Sequence, residues 1–152
     1  MAALLFAAGF ETTTHLLSNG LVALLHNPGQ AAALRNDAEL APTAVEELLR
    51  FDSSVQLTAR TALAGTEVAG VPISKGNRLV CYAGAANRDP QRFTDPGRLD
   101  LSRRNGAPLS FGGIRYCLGA PLARLEAQLA FPALLNRYPD LQLTGGAQRR
   151  TG

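Results

Sequence analysis

Tryptophan is absent from these 152 residues, methionine occurs once and cysteine twice. The two cysteines, Cys81 and Cys117, lie far apart with no CxxC pair. Neither a disulfide framework nor a zinc knuckle is available, and a reducing cytosol is the simplest compartment. Lysine is reduced to Lys75, so the basic residues are arginines, which suit pairing with carboxylate or phosphate. Aromatics make up only 6% and no long Lys/Arg run occurs, which argues against a nucleic-acid partner. A long hydrophobic run is also missing. The apolar start MAALLFAAGF is interrupted by Glu11, His15 and Asn19, too soon for a membrane span. It has neither the charged n-region nor the cleavage site of a signal peptide.

What is present is a globular composition: 46% apolar, 18% charged, net charge +3. That length and balance suffice for a sizeable core. Leu4, Leu5, Ala8, Leu16, Leu17, Leu21, Leu24 and Leu25 recur at helical spacing and predict a helix over 2–26, ended by Asn27-Pro28-Gly29. A short helix is expected over 29–36. Another is expected over 42–51, with Pro42 in its first turn and Val45, Leu48 and Leu49 as its apolar side. Residues 55–81 turn to Val, Thr and Ile between Gly-containing turns. VQLTART, TEVAG, VPIS and RLVCYA read as short strands, with Cys81 in the core. Residues 87–109, dense in Pro, Asp, Asn, Arg and Gly, predict a long irregular segment, and long ordered loops are usually functional. A last helix is expected over 118–136, carrying Leu118, Leu122, Leu125 and Leu129 and bent at Pro132. The tail after Leu143 is expected to fray.

Cys117 stands between a glycine-rich loop and that last helix. Free N–H groups and the positive end of the helix dipole favour a thiolate there. Gly119 lets a flat object approach the backbone. From the residues alone Cys117 is open to three readings: metal ligand, nucleophile, or buried structural cysteine. Glu47 and Arg50 sit three apart on one helical face, close enough to pair. Gly9, Glu11, Thr12 and Thr13 place an acid and hydroxyls inside an apolar helix, where they either handle protons or face solvent. His15 and His26 pair in spacing with no other metal ligand. Arg103, Arg104, Arg149 and Arg150 read as solvated.

Taken in order, AGFETT, EELLR, ANRDPQRFTDPGRLDLSR and FGGIRYCLGAPLARLE resemble the C-terminal part of a cytochrome P-450 of the soluble bacterial type, over roughly residues 1–143. The resemblance implies a fold that is mainly α with a small antiparallel β portion. Residues 1–152 would form a single partial domain: central-helix end, Glu-Arg helix, β region, meander, cysteine loop and final helix. It implies haem as cofactor, with Cys117 as the thiolate ligand of iron, Arg115 and Arg60 on the propionates, and Phe111 and Gly119 in the cysteine loop. Glu11 and Thr12 match the acid–alcohol pair that delivers protons to bound dioxygen, and Gly9, at a kink, would make room for the oxygen. Glu47, Arg50 and Arg98 match a structural charged triad. Leu57 and Thr58 lie where the family's substrate-facing strand begins. The activity implied is monooxygenation of a small apolar organic substrate in the cytoplasm. Electrons would come from NAD(P)H through a ferredoxin or flavodoxin-like donor, for which a basic face is a fitting dock.

Two departures shape further expectations. The resemblance begins shortly before the oxygen-activation motif, so the family's N-terminal part and substrate lid have no counterpart. Such a chain is expected to expose apolar surface, and to self-associate, swap elements or be unstable alone. Phe111 lies six residues before Cys117, where the family places its phenylalanine seven before. The shortened loop should re-aim Phe111 or the amides near the sulfur. Against the haem reading stand a haem-free, inactive remnant acting as a structural or interaction module, and a thiol enzyme with Cys117 as nucleophile, for which no histidine lies near in sequence.

Overall fold

A computed structural model describes residues 1–104, 106–113 and 116–146. It is mainly helical with two small antiparallel ribbons. Helix α1 covers Ala2–His26. The hydroxyls of Thr12, Thr14 and Ser18 donate to the carbonyls of Ala8, Phe10 and Thr14 at 2.6, 2.7 and 2.9 Å. The polar stretch therefore satisfies itself inside the helix, and α1 continues through Gly9. At its end the Asn27 amide donates to Ala23 O at 2.8 Å. Pro28 then opens α2 (Pro28–Asn36) in the one place where a missing N–H costs nothing. A one-turn 3-10 helix, Ala38–Leu40, is capped by Asp37, whose carboxylate accepts from Glu39 N–H, and leads into α3 (Ala41–Phe51).

Strands β1 (Thr58–Thr61) and β4 (Arg78–Cys81) pair antiparallel, with Thr58 opposite Cys81. Between them β2 (Thr66–Val68) and β3 (Val71–Ile73) form a hairpin whose turn, Ala69-Gly70, takes φ of 51° and 81°. Positive φ at both turn residues matches the right-handed twist of the strands. The ribbons lie at the surface, so their alternate side chains meet solvent rather than a core. Cys81, expected in the core, is exposed for that reason. A four-residue helix α4 (Ala83–Ala86) and a 3-10 turn at Leu109–Phe111, neither expected, flank the irregular segment.

Helix α5 covers Ala120–Arg137 and passes through Pro132. It starts two residues later than expected, and Leu118 is 92% exposed. The leucines at 122, 125 and 129 are exposed as well; the buried face is Ala120, Ala127, Phe131 and Leu135. A helix apolar on several sides does not announce by spacing which side packs. The same holds for α1, whose Leu4 and Leu5 are exposed while Leu16, Gly20, Ala23 and Leu24 are buried.

The core sits where the C-terminal half of α1 meets α2, α3 and α5, around Leu24, Leu34, Leu48 and Phe131. Gly20 is what lets α1 approach α5, because a Cβ there would collide with the Phe131 ring. Among the described residues no helix is long and apolar enough to cross a membrane.

Candidate functional site

The irregular segment is held by charge buried on α3. Glu47 and Arg50 are both 2% exposed. They meet through paired bonds, Arg50 Nε to Glu47 Oε2 at 2.7 Å and Arg50 Nη2 to Glu47 Oε1 at 2.8 Å. Arg50 spends its remaining donors on the carbonyls of Asn87, Pro96 and Arg98. Glu47 accepts from Asp100 N–H at 3.0 Å and from Arg103 Nε at 3.2 and 3.1 Å. A buried charge is tolerable only when its donors and acceptors are filled in this way.

The second arginine of the arrangement is therefore Arg103, not Arg98. The Arg98 side chain is 69% exposed and, among the described residues, reaches Asp100 at 3.7 Å; what it gives the cluster is its carbonyl. Arg103, expected to be solvated, has a side chain only 11% exposed and also donates to the carbonyls of Thr94, Asp95 and Arg98. The turn at Asp100, where the carboxylate accepts from Ser102 Oγ at 2.6 Å and Ser102 N–H at 3.1 Å, brings Arg103 back under α3 and leaves Arg98 outside. Those Ser102 bonds are the main cause that holds the Asp100 carboxyl below its ordinary value. Asn87, fully buried, completes the frame. Its amide donates to Ser110 Oγ and accepts from Leu109 N–H, and Ser110 Oγ donates to Leu49 O.

That frame presents the cysteine loop to a cleft of about 250 Å³. Thr12, Arg60, Phe111 and Cys117 all line it, with apolar walls from Leu16, Leu49, Val55, Ala83, Leu109 and Ala123. Cys117 is exposed. Its N–H donates to Phe111 O at 3.1 Å and its carbonyl accepts from Ala120 N–H at 3.3 Å. The loop thus closes on itself just before α5. Gly112 takes φ of 84°, where a side chain would be strained. Gly119, at the N-cap of α5, leaves the sulfur side open: a Cβ there would sit 3.8 Å from Sγ. Arg60 is exposed and donates to Thr58 Oγ1 and Ala59 O, both at 2.7 Å.

Other expected site residues are not brought to the cleft. Glu11 is exposed and does not line it. Gly9 lies on a separate shallow groove between α1 and α5, beside Phe10 and Leu129. Arg115 lies outside the described residues. Among the described residues no cluster of three or more His, Cys, Asp and Glu forms a metal site.

The sequence reading missed a second ion pair. Arg124 of α5 binds Glu46 of α3 through Nε–Oε1 at 2.5 Å and Nη2–Oε2 at 3.0 Å. Its guanidinium lies over the rings of Phe111 and Tyr116, at 4.5 and 5.8 Å from their centroids. Only the tertiary fold pairs positions 78 apart, so no local signal reveals it.

The chain matches the family described as Cytochrome P450 over residues 1–147. It is 49% identical over 152 residues to "Putative cytochrome P450 140" of Mycobacterium tuberculosis, covering 99% of this chain and 35% of the relative. It is 48% identical over 141 residues to "Biotin biosynthesis cytochrome P450" of Bacillus subtilis, covering 92% of this chain and 36% of the relative. Among solved structures, P450BioI in complex with hexadec-9Z-enoic acid ligated acyl carrier protein superposes with a TM-score of 0.93 at 46% identity, over 97% of this chain and 39% of that one. The chain spans about a third of the length of the curated relatives it matches. The architecture is that of the corresponding part of the P450 fold, and this chain belongs to the cytochrome P450 family, whose cofactor is a haem held by a cysteine thiolate.

Proposed function

We propose that this chain carries the cysteine side of a haem-thiolate monooxygenase site, with Cys117 as the ligand of iron. Residues 1–152 act as one partial domain of that enzyme. The observation that carries the reading is the convergence of Cys117, Thr12 and Arg60 on one largely apolar cleft. The donor set fits the group. An open thiol at the floor suits iron, the aliphatic walls suit a flat macrocycle, and the exposed Arg60 guanidinium suits a propionate carboxylate. Arg115 is the second propionate partner.

Haem bound through a thiolate supplies the activation of dioxygen. The chain's own residues position and protonate. Thr12 faces the cleft from α1 with a hydroxyl that now donates to Ala8 O; rotated, it holds a proton at Oγ1 for delivery into the cleft, resupplied from Glu11 one residue away at the solvent side. Leu16, Leu49 and Val55 give that face of the cleft apolar walls. Gly9 leaves the α1 surface open nearby. The substrate is a small apolar organic molecule. Electrons come from NAD(P)H through a ferredoxin or flavodoxin-like donor, drawn by a net positive, arginine-based surface, and the compartment is the cytoplasm. The acyl chain in the P450BioI complex supports an apolar substrate class.

An absorption spectrum of the chain supplied with haem, reduced and exposed to carbon monoxide, tests this. A strongly red-shifted Soret band, absent in Cys117→Ala, is the expected result. No haem uptake, or a band indifferent to the substitution, overturns it in favour of a haem-free structural or interaction module.

A further inference from the structure

The Glu46–Arg124 pair does something a surface ion pair does not. Its guanidinium touches the loop at both ends of the stretch that leads to Cys117. Phe111 is the residue whose carbonyl accepts the Cys117 N–H, at 3.1 Å. Tyr116 is the residue before the sulfur. Their rings meet each other at 6.1 Å, tilted by 56°, and Arg124 lies within 4.5 and 5.8 Å of the two centroids. The other end of the guanidinium is fixed to α3 by two bonds to one carboxylate. The Arg124 and Glu46 side chains are 25% and 32% exposed, so solvent only partly screens the contact. The hydrogen bonds to Glu46, with a smaller contribution from Tyr116, push the Arg124 guanidinium above its ordinary value, so it stays a cation.

We propose that Glu46 and Arg124 are positioning residues for Cys117: the guanidinium, anchored to α3 and stacked on Phe111 and Tyr116, holds these two residues, and with them Cys117, in place at the N-terminus of α5. The role rests on the reading of Cys117 as the iron ligand. Among the described residues of the loop, glycines occupy 112 and 113, Cys117 is exposed, and the Cys117 N–H ties back to Phe111 O. A planar cation with five donors can pair with a carboxylate and lie on rings at once, which an ammonium cannot do. The pair also links the two helices that flank the site. A shift of α3 against α5 is thereby transmitted to the direction of the sulfur.

Two readouts on the full chain test the proposal. The first needs no haem: hydrogen exchange of the Cys117 amide. Arg124→Gln and Glu46→Gln are each expected to speed that exchange about tenfold, with the amides of α3 near parent values and the double substitution no worse than either single one. Arg124→Lys, which keeps the charge but not the fork, is expected to leave the Cys117 amide fast. Parent-like exchange in Arg124→Gln, or full protection in Arg124→Lys, overturns the clamp. The second readout is the ferrous carbon-monoxide spectrum after haem loading. The two Gln variants are expected to move a share of the red-shifted thiolate band to the unshifted position, and an unchanged band ratio counts against the positioning role. A parent chain without the thiolate band defeats the haem reading alone, and amide exchange still decides whether the clamp exists.

Discussion

Glu47 shows what one side chain carries here. It takes five contacts from three partners, Arg50, Asp100 and Arg103, at the point where α3 meets the irregular segment. Glu47→Gln removes the charge but not the volume, leaving two arginines short of their counter-ion. Breaking a buried pair from one side costs about 3–5 kcal/mol, and a fall of that size in unfolding free energy is expected from urea titration. The Glu47–Arg50 half of this was legible, because three-residue spacing on a helix guarantees proximity. Arg103 was not: whether it or Arg98 turns inward depends on the Ser102–Asp100 bonds, a local tie invisible to periodicity. That tie makes its own prediction. The Asp100 carboxyl is held below its ordinary value of 3.8, so the ionised form favours the folded state. Its contribution is present above the ordinary value and lost as pH falls through the lowered one. Asp100→Asn is expected to lower the urea midpoint at neutral pH, and the gap to the parent to close as pH falls through the lowered value. A gap that persists unchanged in acid would mean that the charge is not what counts.

At the scale of elements, α1 and α5 are held at the distance Gly20 allows. Glycine inside a helix is unfavourable by about 1 kcal/mol against alanine, so propensity alone predicts that Gly20→Ala stabilises. The Phe131 ring reverses the sign. An added methyl meets the ring's far edge, and overpacking of a filled core costs about 1–3 kcal/mol. A net loss is therefore expected in thermal unfolding. It should shrink when Phe131→Leu is added, since the two positions share one space; a stabilised single variant would show that the helices simply move apart. The existence of α1, α2, α3 and α5 was readable, from leucine spacing and from Pro28 and Pro42 at helix starts, while the four-residue α4 was not. The packed faces of α1 and α5 were not, because leucine recurs on more than one side of each. The ribbons were read as strands correctly but their burial was not, as two-stranded ribbons have no second layer to cover them.

At the scale of the molecule, the core and the apolar surface occupy different parts of the same helix. The C-terminal half of α1 contributes Leu16, Ala23 and Leu24 to the core. Leu4, Leu5, Phe6 and Phe10 are 61–73% exposed. Phe6 and Phe10 stack on each other, 5.8 Å apart and within 2° of parallel, an i,i+4 pair worth a few tenths of a kcal/mol. Two variants that each remove apolar side chains should then differ sharply. Leu24→Ala empties a fully buried site and should cost about 2–5 kcal/mol. Phe6→Ser with Phe10→Ser removes more apolar surface yet should change unfolding free energy by only about 0.5 kcal/mol. The double serine variant should instead reduce the fluorescence of a dye that binds exposed apolar patches, and reduce any self-association measured by sedimentation. If it destabilised the chain as much as Leu24→Ala, the first turns of α1 would have to be packed in solution against a surface of the chain or of a second copy. Unchanged dye binding would place the dominant patch on the α5 leucines at 122, 125 and 129.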